Sequence, residues 1–212
     1  EAVNGMKEGF EKSGGKITKQ LTLPFPNVEF QALLTEIAAA KPDAVFSFFA
    51  GAGAVKFVKD YHASGLSKTI PLYGPGFLTD GTLDAQGESA QGMLTTLHYA
   101  DELGTARDQT FRTNYAKSYK LQPDVYAVQG YDAAQMLTVG LKAAGGDISK
   151  KDAFRTAIEK ATIASPRGDF TLSKAHNPVQ DIYLRKVEKG DNVVVGVAAK
   201  ALADSGAGCK LT

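Results

Sequence analysis

The sequence predicts an α/β fold with a parallel sheet, and three features carry that expectation. Short apolar runs alternate with helical patterns through the N-terminal half, glycine-rich segments follow the strand-like runs, and the connections between patterns are short. With 43% apolar and 22% charged residues among 212, and no low-complexity tract, the chain can bury a real core.

Ala2, Val3, Met6 and Phe10 form an apolar stripe at helical spacing, closed by Gly14 and Gly15. No capping residue precedes the stripe, so the fold is expected to begin upstream of this sequence. Residues 16–23 place Ile17, Lys19, Leu21 and Leu23 on one face, as a strand does, until Pro24 and Pro26 stop it. Asn27 is expected to cap a helix bearing Phe30, Leu33, Leu34 and Ile37, which Lys41 and Pro42 close. The run 44–50, apolar except for Ser47, reads as a strand covered on both faces. Gly51 and Gly53 then open a helix carrying Val55, Val58 and Tyr61, which Gly65 ends. Residues 70–73 form another strand before the loop Gly74, Pro75, Gly76, Phe77.

Composition changes near residue 104. Between 105 and 161 the pattern is helical three times over, first with Phe111, Tyr115 and Tyr119, then over 126–144, then with Phe154 and Ile158, and no strand separates them. Residues 168–172, 181–187 and 193–197 return to β structure, the last two joined by a turn at Lys189, Gly190, Asp191 and Asn192. There is no internal repeat.

Composition and motifs exclude several functions. The 24 basic and 23 acidic residues leave a net charge of +1, with no long basic run, so no nucleic-acid footprint is present. No apolar stretch approaches the roughly 18 residues that span a bilayer, and the zones of a signal peptide are missing from the N-terminus. Gly51, Ala52, Gly53 and Ala54 begin like a dinucleotide fingerprint, but Lys56 occupies the place of its third glycine, so no nucleotide cofactor is expected. His62, His98 and His176 lie far apart without a second ligand at metal-binding spacing. No Gly-x-Ser-x-Gly elbow or P-loop occurs, and the only thiol, Cys209, has no obvious activating neighbour. Asp80, Asp84 and Glu88 could share a helical face, but Gly81 and Gly87 weaken that helix, and a solvated face is the better account. No enzyme and no cofactor are expected. Small residues after a strand do let a ligand approach its carboxyl end, where open α/β sheets bind. The two glycine-rich loops would then form one wall of a cleft; plain tight turns are the alternative.

Lys41, Pro42, Asp43, Ala44, Val45 before the first loop, Gly65 and Leu66 before the next strand, and Tyr131, Asp132, Ala133 carry a resemblance, as do Arg167, Gly168, Asp169, Phe170 and the segment from Pro178 to Tyr183. In this order and spacing the sequence resembles the type I periplasmic binding proteins of branched-chain amino acid, amide and aromatic acid import systems. The resemblance implies two Rossmann-like α/β lobes joined by a hinge of three crossings, a small-molecule ligand enclosed between them, an ABC-transporter permease as membrane partner and a periplasmic location. It implies that residues 1–104 are the C-terminal lobe without its first strand, 105–165 helices of the N-terminal lobe, and 166–212 a hinge crossing, the terminal strands and the tail. The sheet of the N-terminal lobe is expected to lie outside this sequence.

Carried over residue by residue, the resemblance implies ligand contacts at Phe49, Ala50 and Gly51 in the first loop, at Gly76, Phe77 and Thr79 in the second, and at Tyr126. Core packing is the alternative for Tyr126. Amino acid binders of the family tend to place an acidic residue in the second loop, where this chain has Gly76. A buried ammonium without a counter-charge costs on the order of several kcal/mol. Amino acids are therefore disfavoured, and the resemblance, with the rings of Phe49, Phe77 and Tyr126 available to a ligand ring, implies an aromatic carboxylate. A branched-chain amino acid or amide, with Asp80 as substitute counter-charge, is the alternative, and a sensory module on the same fold is another. The resemblance also implies a disulfide from Cys209 to a partner absent from this chain.

Overall fold

The computed structural model describes residues 2–24 and 26–211. They divide into two compact units, one running to Thr96 and resuming over Arg185–Asn192, the other comprising Leu97–Leu184 and the residues from Val193 onward.

In unit 1 the N-terminal stripe forms α1 (Ala2–Lys12), after which the Phe10 ring folds over Gly15 so closely that a Cβ there would lie 2.4 Å from it. Helix α2 (Gln31–Ala40) has Phe30 at its N-cap position. Asn27 does not cap it; its Oδ1 accepts from the Glu29 N–H at 2.8 Å in a turn ahead of the helix. Lys41 ends α2 in the left-handed region, φ 46°, donating to the Ile37 carbonyl, and Pro42 prevents continuation. Then follow β1 (Val45–Phe46), α3 (Gly51–Ala63), β2 (Leu72–Pro75), the short α4 (Leu83–Gln86) and β3 (Leu94–Leu97). β1 pairs in parallel with β2, Val45 opposite Leu72, and β2 with β3, Tyr73 opposite Leu94. The core holds Phe30, Leu34, Phe57, Val58, Tyr61 and Leu78.

Two strand expectations change here. Residues 16–23 form no regular element and no ladder pairing among the described residues, although Leu21 and Leu23 do pack on the core. Alternation encodes a buried face, whereas a strand also needs a neighbour's N–H and C=O groups. The run 44–50 forms a ladder only at Val45–Phe46 and is not covered on both faces, since Phe48 remains 47% exposed.

In unit 2, Thr105 caps α5 (Ala106–Tyr119) by accepting from the Asp108 N–H, and Asp124 caps α6 (Val125–Ala143) by accepting from Ala127. Helix α7 (Lys151–Glu159) lays the Phe154 ring against Gly140 of α6, where a Cβ would lie 2.6 Å from the ring. Strand β4 (Ile163–Ser165), too short to show a period, pairs antiparallel with β5 (Gly168–Leu172), and β5 pairs with β6 (Pro178–Glu188), beside which runs β7 (Asp191–Leu202). Asp132 of α6 accepts from Ser165 Oγ at 2.9 Å and from Arg167 Nε at 2.8 Å, which ties the helix to the β4–β5 hairpin. The Arg167 guanidinium also lies 4.3 Å from the centre of the Phe170 ring.

The chain passes between the units at three places, within β3 after Thr96, within β6 after Leu184 and within β7 after Asn192. The β6–β7 turn is Lys189–Gly190, both with positive φ, 53° and 89°, as a two-residue type I′ hairpin requires. Among the described residues no helix is long and apolar enough to cross a membrane.

Candidate functional site

Because β1 and β2 are parallel, the loops that follow them leave the same edge of the unit 1 sheet. The Phe48 and Phe77 rings meet edge to face, centroids 6.4 Å apart, so the two loops are neighbours. Phe48 was not anticipated. Successive residues of an extended segment point to opposite sides, and Phe49, expected as a contact, turns its ring into the core, 4.9 Å from Phe30 and 4.7 Å from Phe57. Beneath them Tyr61 donates to the Ile70 carbonyl at 3.0 Å, and burial pushes its pKa up to about 12, which keeps the hydroxyl a donor.

Ala50 and Gly51 are exposed at the start of α3. Gly51 has φ 54° with open space where a Cβ would be, so backbone conformation and not crowding calls for glycine. No side chain caps α3, which leaves its first-turn N–H groups facing the exposed end of the loop. Gly74 serves packing: a Cβ there would lie 2.7 Å from the Ser47 carbonyl oxygen on the neighbouring segment.

In the second loop, Phe77 is partly exposed and Gly76 and Thr79 are buried. The Gly76 carbonyl accepts from the N–H groups of Thr79 and Asp80, at 2.9 and 2.8 Å, closing a tight turn over Gly76–Leu78. Thr79 Oγ1 donates to Asn192 Oδ1 at 2.7 Å. Asp80, considered above as a substitute counter-charge, is 4% exposed and its Oδ2 lies 2.7 Å from Arg185 Nη2, so its charge is already neutralised. Asp84 and Glu88 are exposed, and α4 is too short to hold all three carboxylates on one face. Neither Arg185 nor Asn192 was anticipated. The available signal was a charged residue on the same strand row as the buried Val187.

In unit 2, Tyr126 occupies the first turn of α6 and is 50% exposed. A groove of about 480 Å³ lies along α5, lined by Phe111, Tyr115, Tyr119, Tyr131 and Arg107, and includes none of the expected contacts. Cys209 lies in the tail, its N–H bonded to the Gly206 carbonyl. The three histidines stay apart, and among the described residues no cluster could hold a metal ion.

A family model described as periplasmic binding protein matches residues 1–192. The chain is 31% identical over 200 residues to Leu/Ile/Val-binding protein homolog 6 of Brucella melitensis, an alignment covering 91% of this chain and 50% of that protein. Among solved structures it is similar to an ABC-transporter solute-binding protein from R. palustris in complex with benzoate, at 50% identity and a TM-score of 0.94 over 98% of this chain and 57% of that one. A second, from Rhodopseudomonas palustris BisB5 in complex with 3,4-dihydroxybenzoic acid, is 31% identical with a TM-score of 0.87, covering 97% and 58%. The chain thus spans about half the length of the relatives it matches.

Proposed function

Because the chain belongs to the periplasmic binding protein family, we propose that the protein captures an aromatic carboxylate in the periplasm and delivers it to the permease of an ABC importer, without catalysis. The observation that carries the substrate class is electrostatic. Residues 47–53 and 74–82 contain one carboxylate, Asp80, and Arg185 neutralises it. An amino acid's ammonium buried there would lack a counter-ion, at a cost on the order of several kcal/mol. A carboxylate, in contrast, suits the uncapped first turn of α3, and the Phe48–Phe77 edge offers rings to a ligand ring. The 50% identity to a protein solved with benzoate supports the same class. Ala50, Gly51, Gly76 and Phe77 remain the proposed loop contacts, with Phe48 joining them and Phe49 and Thr79 supporting them from below. The name of the Brucella relatives favours a second reading, a branched-chain amino acid.

A thermal-shift panel on the full-length protein separates the two. Ligand at a hundred times its Kd stabilises the folded state by about 2.7 kcal/mol. Benzoate and hydroxybenzoates should raise Tm more than leucine, isoleucine or valine at equal concentration, and the reverse order would overturn the substrate class. Tyr126→Ala should weaken the preferred ligand by about 1 kcal/mol, as expected for loss of a ring contact. Unchanged affinity in calorimetry would remove Tyr126 from the site.

A further inference from the structure

Arg185 has no exposed surface, yet it reaches the second loop at both ends. Its Nη2 lies 2.7 Å from Asp80 Oδ2, and Thr79 Oγ1 and the Gly76 carbonyl are 3.3 and 3.4 Å from the same nitrogen. Nε and Nη2 also donate to Thr95 Oγ1 on β3, at 3.3 and 3.0 Å. Thr79 in turn bonds Asn192 on β7. The turn that carries Phe77 is thereby pinned to β3, β6 and β7, the three strands on which the chain passes between units, and Arg185 is the first residue of unit 1 after such a passage.

A planar guanidinium that bonds several acceptors at once fixes their mutual geometry in a way that a flexible ammonium cannot. Relative to an apolar pair of equal volume, a buried ion pair adds little net stability. Its consequence here is therefore geometric. We propose that Arg185 is a positioning residue for ligand binding: it fixes the backbone from Gly76 to Asp80 and so sets the Phe77 ring against the ligand ring, without touching the ligand. This inference rests on the aromatic-carboxylate reading above.

The test is a double-mutant cycle by calorimetry with benzoate on the full-length protein, comparing wild type, Arg185→Gln, Phe77→Ala and the double variant. If Arg185 acts through Phe77, Arg185→Gln weakens benzoate about tenfold in the wild-type background but less than about twofold once Phe77 is Ala. Arg185→Lys, which keeps the charge and loses the fork, should not restore affinity. A folded Arg185→Gln protein that binds like wild type would overturn the proposal, as would an equal loss in both backgrounds, the signature of a merely structural role. Should Arg185→Gln not fold, Thr95→Val removes an anchor of the guanidinium and enters the cycle in its place, with the same two outcomes. Wild-type protein that binds no aromatic carboxylate would overturn the functional reading and this inference together, whereas tight wild-type binding without coupling would overturn this inference alone.

Discussion

Asp132→Ala should lower folding stability by about 3–5 kcal/mol, because it leaves the Arg167 guanidinium buried without its counter-ion. Both side chains are only 5% exposed, so water cannot replace the lost carboxylate without opening the hairpin. The same substitution deprives Ser165 of its acceptor and detaches α6 from β4 and β5. Equilibrium urea unfolding is the measurement, read as a lower midpoint at unchanged slope. Replacing both partners, Asp132→Leu with Arg167→Met, should recover most of the loss, since two apolar side chains of similar volume leave nothing unpaired. A single-variant loss below about 1 kcal/mol would show that the pair behaves as a surface ion pair.

Phe30→Ala is the second large effect, expected at about 3–5 kcal/mol for a phenyl ring removed from a close-packed core. Phe30 is fully buried and meets Phe49 and Phe57 edge to face, at 4.9 and 5.2 Å, contacts that add about 0.5–1.5 kcal/mol beyond area burial. The void would open directly beneath Phe49, so ligand affinity should fall with stability. Phe30→Leu, which refills most of the space, should lose less of both. A loss well below that range in urea would mean that the core collapses around the gap and only the transfer cost of the ring remains.

How far the sequence could be read depended on whether a feature was local. The helical stripes at 31–40, 51–63 and 106–119 became helices because a period of 3.6 is written into consecutive residues. The two glycine loops were legible for the same reason, and their common edge follows once the strands are parallel. Phe48 and Phe49 show where this fails. Both are phenylalanines after a strand, and which of them faces the core depends on where the β1 ladder places the pleat, a register that β2 decides.

By itself, the sequence determined the α/β class, the order of most elements, the two loops and the family resemblance, since each rests on spacing within a short window. Tertiary structure alone decided that residues 16–23 form no ladder among the described residues, that Phe48 lies exposed at the loop edge while the partly buried Phe49 packs its ring on the core, and that Asp80 is paired with Arg185. Asp80 and Arg185 stand more than a hundred residues apart, and no local pattern could pair them. Burial brings them within 2.7 Å, because two opposite charges taken out of water must find each other.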